Sequence, residues 1–485
     1  MEYRRNYRIL NSLIFILLVF LTSCTKEFIG PLDEDELEIS NPAPTLTITT
    51  TTFTQFSLEE LGAFYSVNGR FHFTQGNQEY FIYVSEYKQA TYLFKRIDTN
   101  WILVDVNRTE LMFDSRNYSI VDDYTFIIGS TGEDTRPVEQ WGSWIYEIKV
   151  INDKISIRKI SELFGYWHSI STGDLTGDGL YDVVSMGWLF IQNPDRTFTP
   201  HYLCETCRDG YYTKNVNQYQ GNTDLFDLTR MNQLKNPMEP LIVDLFPGGR
   251  PELVMSYNDH TGDVPDNAEN EPFGQVLIYE YSEQTKRYEL VYEITRKTIG
   301  FRSTVQSMQM GDLNKDGIND LVLESVPYDD PVASPIEVWL GKSNKSFYKN
   351  QTINIEVATS QISLFDVNED GYDDVVLRPR GDGGNFYRND CTGESSPTCD
   401  ELRQQGITPK DGVFLYKTFY LNSGNGTFYQ PSKDDLTAEN IQPIWLMPFK
   451  RNGNLVFFGN DWVYHGDTKI LELRLIDIEI NKNKL

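Results

Sequence analysis

Three stretches of the 485-residue chain place oxygen-bearing side chains at one fixed spacing: 174–182 (DLTGDGLYD), 312–320 (DLNKDGIND) and 366–374 (DVNEDGYDD). Each carries Asp at loop position 1, Thr or Asn at 3, Asp at 5, Gly at 6 and Asp at 9. The side-chain oxygens are those of Asp174, Thr176, Asp178 and Asp182, then Asp312, Asn314, Asp316 and Asp320, then Asp366, Asn368, Asp370 and Asp374. The main-chain carbonyls of Leu180, Ile318 and Tyr372 stand at position 7. Alternate residues turn inward round a tight loop, and glycine allows the sharp bend, so a hard cation meets six or seven oxygens. Calcium suits this set better than magnesium, which demands a stricter octahedron and keeps more water. About three structural Ca²⁺ sites are expected. Each loop fills its oxygens from one continuous segment and leaves no position for chemistry.

The elements holding these loops follow from their flanks. An EF-hand needs Glu at position 12 and a helix on either side. Position 12 here is Ser185, Leu323 or Leu377, and the loops run into β-branched and aliphatic residues: Val183-Val184, Leu321-Val322-Leu323 and Val375-Val376-Leu377. The units are therefore strand–loop–strand. Three copies with one downstream pattern resemble the FG-GAP/VCBS repeat, the calcium-loop unit of integrin-type β-propellers. An aromatic-rich hairpin follows each loop at 190–198, 338–347 and 420–428, with weaker hairpins at 92–104, 145–157 and 277–290. The stretch 244–252 is a degenerate loop: it keeps the glycine turn and ends in Glu252, while Phe246 and Gly248 replace two oxygen ligands. Residues 449–458 keep only the turn and strand. About seven units emerge, at roughly 78–106, 115–161, 167–200, 240–293, 305–350, 360–430 and 443–480. A strand pair plus a hairpin makes a four-stranded blade, so the expectation is an all-β, seven-bladed β-propeller over residues 56–485.

Topology separates two faces. If the loop joins the first and second strands, the next connection emerges on the opposite face, as does each link between blades. The longer segments 129–143, 201–239, 256–275, 324–335, 378–416 and 459–468 all fall on that opposite face. Long loops on a rigid scaffold are where binding residues concentrate. Candidate ligand-binding residues there are Trp141, Trp144, Tyr257, His260, Arg378, Tyr387, Trp462 and Tyr464. Aromatic rings stack on sugar rings while polar groups take the hydroxyls, although any of these rings could instead cap the core. Arg380-Gly381-Asp382 is a tripeptide that often arises by chance.

The N-terminus reads as an address. Arg4, Arg5 and Arg8 precede the nine-residue apolar run 13–21. That is short of the about 20 residues a spanning helix needs, and it suits a signal peptide. The sequence Leu21-Thr22-Ser23-Cys24 resembles the bacterial lipobox, which implies removal of 1–23 and lipidation at Cys24. Residues 24–55 are then an acidic, later Pro/Thr-rich tether, whose 41–55 portion reads as a stalk or a first edge strand. Acidic residues behind the lipidated Cys resemble the export signal of some gram-negative surface lipoproteins. The implied location is the outer membrane at the cell surface, held by lipid alone. The remaining cysteines form two local pairs, Cys204 with Cys207 and Cys391 with Cys399, expected as disulfides of an oxidising compartment.

The formal charge of −27 argues against binding nucleic acid or anionic lipid through charge. No HExxH, GxSxG or P-loop spacing occurs. The favoured reading is a non-catalytic lipoprotein that binds a glycan or an outer-membrane or cell-surface protein. Its rival is a propeller-type polysaccharide lyase or glycosidase using His260, Tyr464, His465 and Arg378.

Overall fold

Both faces of the strands that follow the loops are apolar, and the arrangement of blades explains why. In a computed structural model of the chain, Val183 packs into the seam between blades 2 and 3, and its neighbour Val184 into the seam between blades 3 and 4. Leu321 and Leu323 likewise face blade 4 while Val322 faces blade 6. Val375 and Val376 divide in the same way between blades 5 and 7. Successive side chains of a strand point to opposite faces, so a sheet covered on both faces reads as a continuous apolar run. The structure describes residues 45–56, 69–85, 90–108, 118–131, 142–208, 216–234, 237–257, 275–294, 303–327, 334–355, 359–379, 413–414, 418–431, 437–438, 445–465 and 468–483. The expected signal peptide, Cys24 and the acidic part of the tether lie outside them.

Seven four-stranded antiparallel blades succeed one another along the chain. Blade 1 spans 69–107, blade 2 118–159, blade 3 171–202, blade 4 237–294, blade 5 303–355 and blade 6 359–429. Blade 3 gains a short parallel fifth strand, Gln220–Gly221. Blade 7 takes its first three strands from Trp445–Arg451, Asn454–His465 and Thr468–Asn483, and its outermost strand from Thr45–Phe56 at the other end of the chain. Seven apolar clusters fill the seven seams between neighbouring blades. Among the described residues the only α-helix is the single turn Glu205–Arg208.

The expected boundary between tether and propeller is corrected by the first strand. Thr45–Phe56 pairs antiparallel with Thr468–Asn483 from Thr45↔Asn483 to Phe56↔Leu473. The Thr-rich stretch is therefore a closing strand. β-branched threonine favours extended backbone, and Leu46 and Phe56 are buried in the seams on either side of blade 7. This joining of the two ends leaves no open seam in the ring.

A buried ionic cluster reinforces the same seam. Arg451 of blade 7 donates from Nε and Nη2 to the two carboxylate oxygens of Glu79 in blade 1, both at 2.6 Å, and from Nη2 to Asp477 at 2.8 Å. Trp101 Nε1 donates to the other Asp477 oxygen at 3.3 Å.

Candidate metal loops and the opposite face

Each complete loop joins the first and second strands of its blade: Ser171–Gly173 to Asp182–Ser185, Ser303–Gly311 to Asp320–Pro327, and Thr359–Phe365 to Asp374–Pro379. The bend falls where the spacing predicts. Gly179, Gly317 and Gly371 at position 6 have φ of 85°, 83° and 90°, a region in which a Cβ is strained.

The position-1 carboxylates fold the loops around themselves. Asp174 accepts the N–H groups of Gly177, Asp178 and Gly179 at 2.6, 3.1 and 2.8 Å. Asp312 accepts those of Asp316 and Gly317 at 3.1 and 2.9 Å, and Asp366 accepts that of Gly371 at 3.1 Å. At position 5, Asp178, Asp316 and Asp370 each accept the N–H two residues on, at 2.8 to 2.9 Å. Asn314 and Asn368 donate to the position-5 carboxylates at 3.0 and 2.8 Å. Asp366 Oδ1 is buried without a hydrogen-bond partner. Among the described residues no three His, Cys, Asp or Glu side chains converge as a ready-made metal cluster.

Position 9 does a different job. Asp182, Asp320 and Asp374 are fully buried. One oxygen of each accepts the position-2 N–H, from Leu175, Leu313 and Val367 at 3.0, 2.9 and 2.8 Å. The other oxygen accepts an N–H from the third strand of the same blade, from Gln192, Gly341 and Asn422 at 3.1, 2.8 and 2.7 Å. Burial pushes Asp182 and Asp320 up to about 6 and Asp374 up to about 7, against these donors, and neighbouring loop aspartates push the same way. In the degenerate loop Glu252 takes the same place and accepts the Leu245 and Phe246 N–H groups at 2.7 and 3.1 Å. The loop half of the staple thus persists where two of the metal-type oxygens are gone, while Glu252 Oε1 is buried without the third-strand donor that the aspartates have. In the complete loops position 9 ties loop to strand whatever else it binds.

Position 8 was not singled out by the sequence, yet in two loops it reaches the preceding blade. Tyr181 donates its hydroxyl to Glu147 of blade 2 at 2.5 Å, and that carboxylate is also held by Arg158 at 2.7 and 2.9 Å. Asn319 donates to the carbonyls of Asp244 and Leu245 in blade 4 at 2.9 and 3.3 Å. Cations cross between neighbours too: Arg250 Nη1 donates to the Leu175 carbonyl at 3.1 Å, and Lys315 Nζ lies 3.8 Å from the centre of the Tyr372 ring. Different residue types at one position hide this contact from a search for repeats.

On the opposite face the candidates part company. Trp144 is half-buried, with Lys159 Nζ 4.0 Å from its ring centre and Phe164 edge-on at 5.2 Å. The link 160–170 adds Tyr166 and His168, stacked at 5.7 Å and half-buried. The aromatic run Phe164-Gly-Tyr-Trp-His168 was the overlooked signal. Tyr257 is 1% exposed and lies in the seam between blades 3 and 4, so the ligand-binding assignment is corrected to a core residue. The segment 459–468 is corrected as well. Its strands continue to His465 and resume at Thr468, pairing Trp462 with Leu473 and Tyr464 with Leu471. Those two candidates stand on a long hairpin rather than a loop. Arg378 lies in the second strand of blade 6, opposite Gln361. Trp141, His260, Tyr387, the 380–382 tripeptide, Cys391 and Cys399 lie outside the described residues.

Cys204 and Cys207 form the expected disulfide. The link that carries it folds onto blade 4. Tyr288 N donates to the Leu225 carbonyl at 2.7 Å, and Phe226, Leu228, Met231 and Leu234 are buried.

No protein-family model matches the chain, and no curated protein matches it. Solved structures do. A functionally unknown protein from Desulfotomaculum acetoxidans DSM 771 is 9% identical with a TM-score of 0.39, over 66% of this chain and 80% of that one. Saccharomyces cerevisiae Sqt1 is 8% identical with a TM-score of 0.42, over 85% and 84%. A Bacteroides uniformis ATCC 8492 protein proposed to be a 6-phosphogluconolactonase is 9% identical with a TM-score of 0.41, over 79% and 90%. At these values the likenesses carry no functional argument, and the propeller rests on the chain's own strand order and seams.

Proposed function

We propose that this chain is a calcium-braced β-propeller displayed as a lipid-anchored protein of the outer membrane, where its loop-rich face binds a glycan or another surface protein without catalysing a reaction. One observation carries the binding reading: the two faces differ in how much chain they hold. On the loop-bearing face, the turns between third and fourth strands are short, as at 98–99, 152–153 and 342–346. On the opposite face, the second strands of blades 4 and 6 end at Tyr257 and Pro379 and their third strands begin only at Gln275 and Phe419. A rigid ring carrying its spare chain on one side is the usual layout of a recognition surface.

Calcium is supported by donor chemistry. The three loops offer carboxylate, amide, hydroxyl and carbonyl oxygens and no histidine or cysteine, and Asp366 Oδ1 is buried with nothing to accept from. Asp174, Asp178, Asp312, Asp316, Asp366 and Asp370 would supply most of the charge, with the position-3 side chains and position-7 carbonyls completing each site. Bound calcium would neutralise the carboxylates crowded in each loop. Export and lipidation at Cys24 rest on the N-terminal sequence.

The test is a glycan array on the full-length protein beside a variant lacking 381–410. The proposal expects saturable capture of particular glycans that is lost on deletion, with an unchanged melting transition. Release of shortened or unsaturated products would replace the binding reading with an enzymatic one. Capture that survives the deletion would move the site elsewhere.

A further inference from the structure

The blade 4 loop that lacks two metal-type oxygens borders a cleft. It has a volume of 430 Å³ and opens between blades 4 and 5 on the loop-bearing face. Its floor holds Phe246, Gly248 and Gly249 of the degenerate loop, and Gly317 of blade 5 stands opposite. A Cβ placed on any of these three glycines would meet nothing within 4 Å, so the cleft is open down to the main chain.

Two features give this opening a chemical preference. In the complete loops of blades 3 and 5, the position-1 aspartate accepts the N–H groups of positions 5 and 6. In blade 4 those positions are Gly248 and Gly249; position 1 is again an aspartate, Asp244, yet among the described residues neither it nor any other group accepts their N–H groups. Successive main-chain N–H groups facing one space form an anion-binding concavity. The second feature is charge. Lys342 and Lys345 enter the cleft from the hairpin turn of blade 5, and among the described residues lining it Glu280 is the only carboxylate. Lys345 Nζ is bonded to both oxygens of Glu280. Among the described residues Lys342 has no carboxylate partner, and its ammonium lies 4.8 Å from the centre of the Tyr348 ring. One unneutralised cation thus stands in a cleft of a chain whose formal charge is −27.

The geometry points to a binding site for a small acidic saccharide, its carboxylate or sulfate held by Lys342 and the Gly248–Gly249 N–H groups. The Ser343 hydroxyl and the bare main chain of the glycines supply polar contacts for the sugar body, while Phe246, 9% exposed, adds only a ring edge. The volume falls within the about 300–1,000 Å³ usual for small-molecule sites. This site lies on the face opposite the proposed recognition surface and does not depend on it.

Isothermal titration of the full-length protein with galacturonic acid and glucose 6-sulfate tests the assignment, with galactose, glucose and inorganic sulfate for comparison. Binding of either acidic sugar, and of neither neutral one, is expected. Lys342→Ala should weaken it about tenfold, the effect of losing one charge-assisted hydrogen bond. Gly249 lacks a positive φ, so Gly249→Leu can fill the cleft without backbone strain and should abolish binding at an unchanged melting temperature. The proposal is overturned if neither acid saturates, if neutral sugars bind equally, or if either variant binds like the parent. Equal binding of inorganic sulfate would overturn the saccharide part.

Discussion

Replacing Asp374 and Asp370 separately should divide the two tasks of a candidate metal loop. Asp374 is fully buried, and its oxygens accept the Val367 and Asn422 N–H groups at 2.8 and 2.7 Å. Asp374→Ala leaves both donors buried without an acceptor. At about 1–3 kcal/mol for each, the loss is about 2–6 kcal/mol, a large part of the about 5–15 kcal/mol that holds a domain folded. Asp370 is solvent-exposed, and its bonds to Tyr372 N and Asn368 Nδ2 can be exchanged for water. Asp370→Ala should therefore cost under about 1 kcal/mol without metal. The assay is urea unfolding followed by circular dichroism, in EDTA and in excess calcium. In EDTA only Asp374→Ala should unfold early. In calcium Asp370→Ala should fail to gain the stability that the parent gains. Equal losses for the two variants in EDTA would refute the division of labour.

Two further perturbations follow from the buried charges. Burial pushes Glu252 up to about 7 from its ordinary 4.5, so the stability it contributes is present below pH 4.5 and is lost as pH rises through 7. Glu252→Gln, unfolded in EDTA, should gain on the parent as pH rises from about 5 to 8, and a pH-independent difference would contradict this. Arg451→Met removes the short hydrogen bonds to the buried carboxylates of Glu79 and Asp477 and leaves them, among arginines, only the longer contacts of Arg96, at 3.9 and 3.7 Å. A loss of about 2–3 kcal/mol is therefore expected in urea, below the about 3–5 kcal/mol of a fully stranded charge. A loss under about 1 kcal/mol would mean that the closing strand holds the ring without this cluster.

The sequence made the loops legible because ligand-type oxygens need fixed spacing and leave a repeated pattern. Blade number was legible for a related reason, since loop, apolar strand and aromatic hairpin recur even where the oxygens decay, as at 244–252. The closing strand was harder. Thr45–Phe56 has a partner more than 400 residues away, and a threonine run suits an exposed stalk as well as an edge strand. Exposure was misjudged at Tyr257 because a ring at a strand end looks alike whether it turns into a seam or into solvent. Trp462 and Tyr464 read as loop residues because nothing in their types says how far a hairpin extends. The position-8 contacts of Tyr181 and Asn319 stayed invisible, since what they share is a place in space rather than a side-chain chemistry.

The most direct test of the account is the calcium content of the full-length protein after equilibrium dialysis, read by native mass spectrometry beside the thermal melt. Three ions per chain are expected, one fewer in each of Asp178→Ala, Asp316→Ala and Asp370→Ala, and a lower melting temperature in EDTA. A protein that holds no calcium, and that melts identically with and without the chelator, would contradict it.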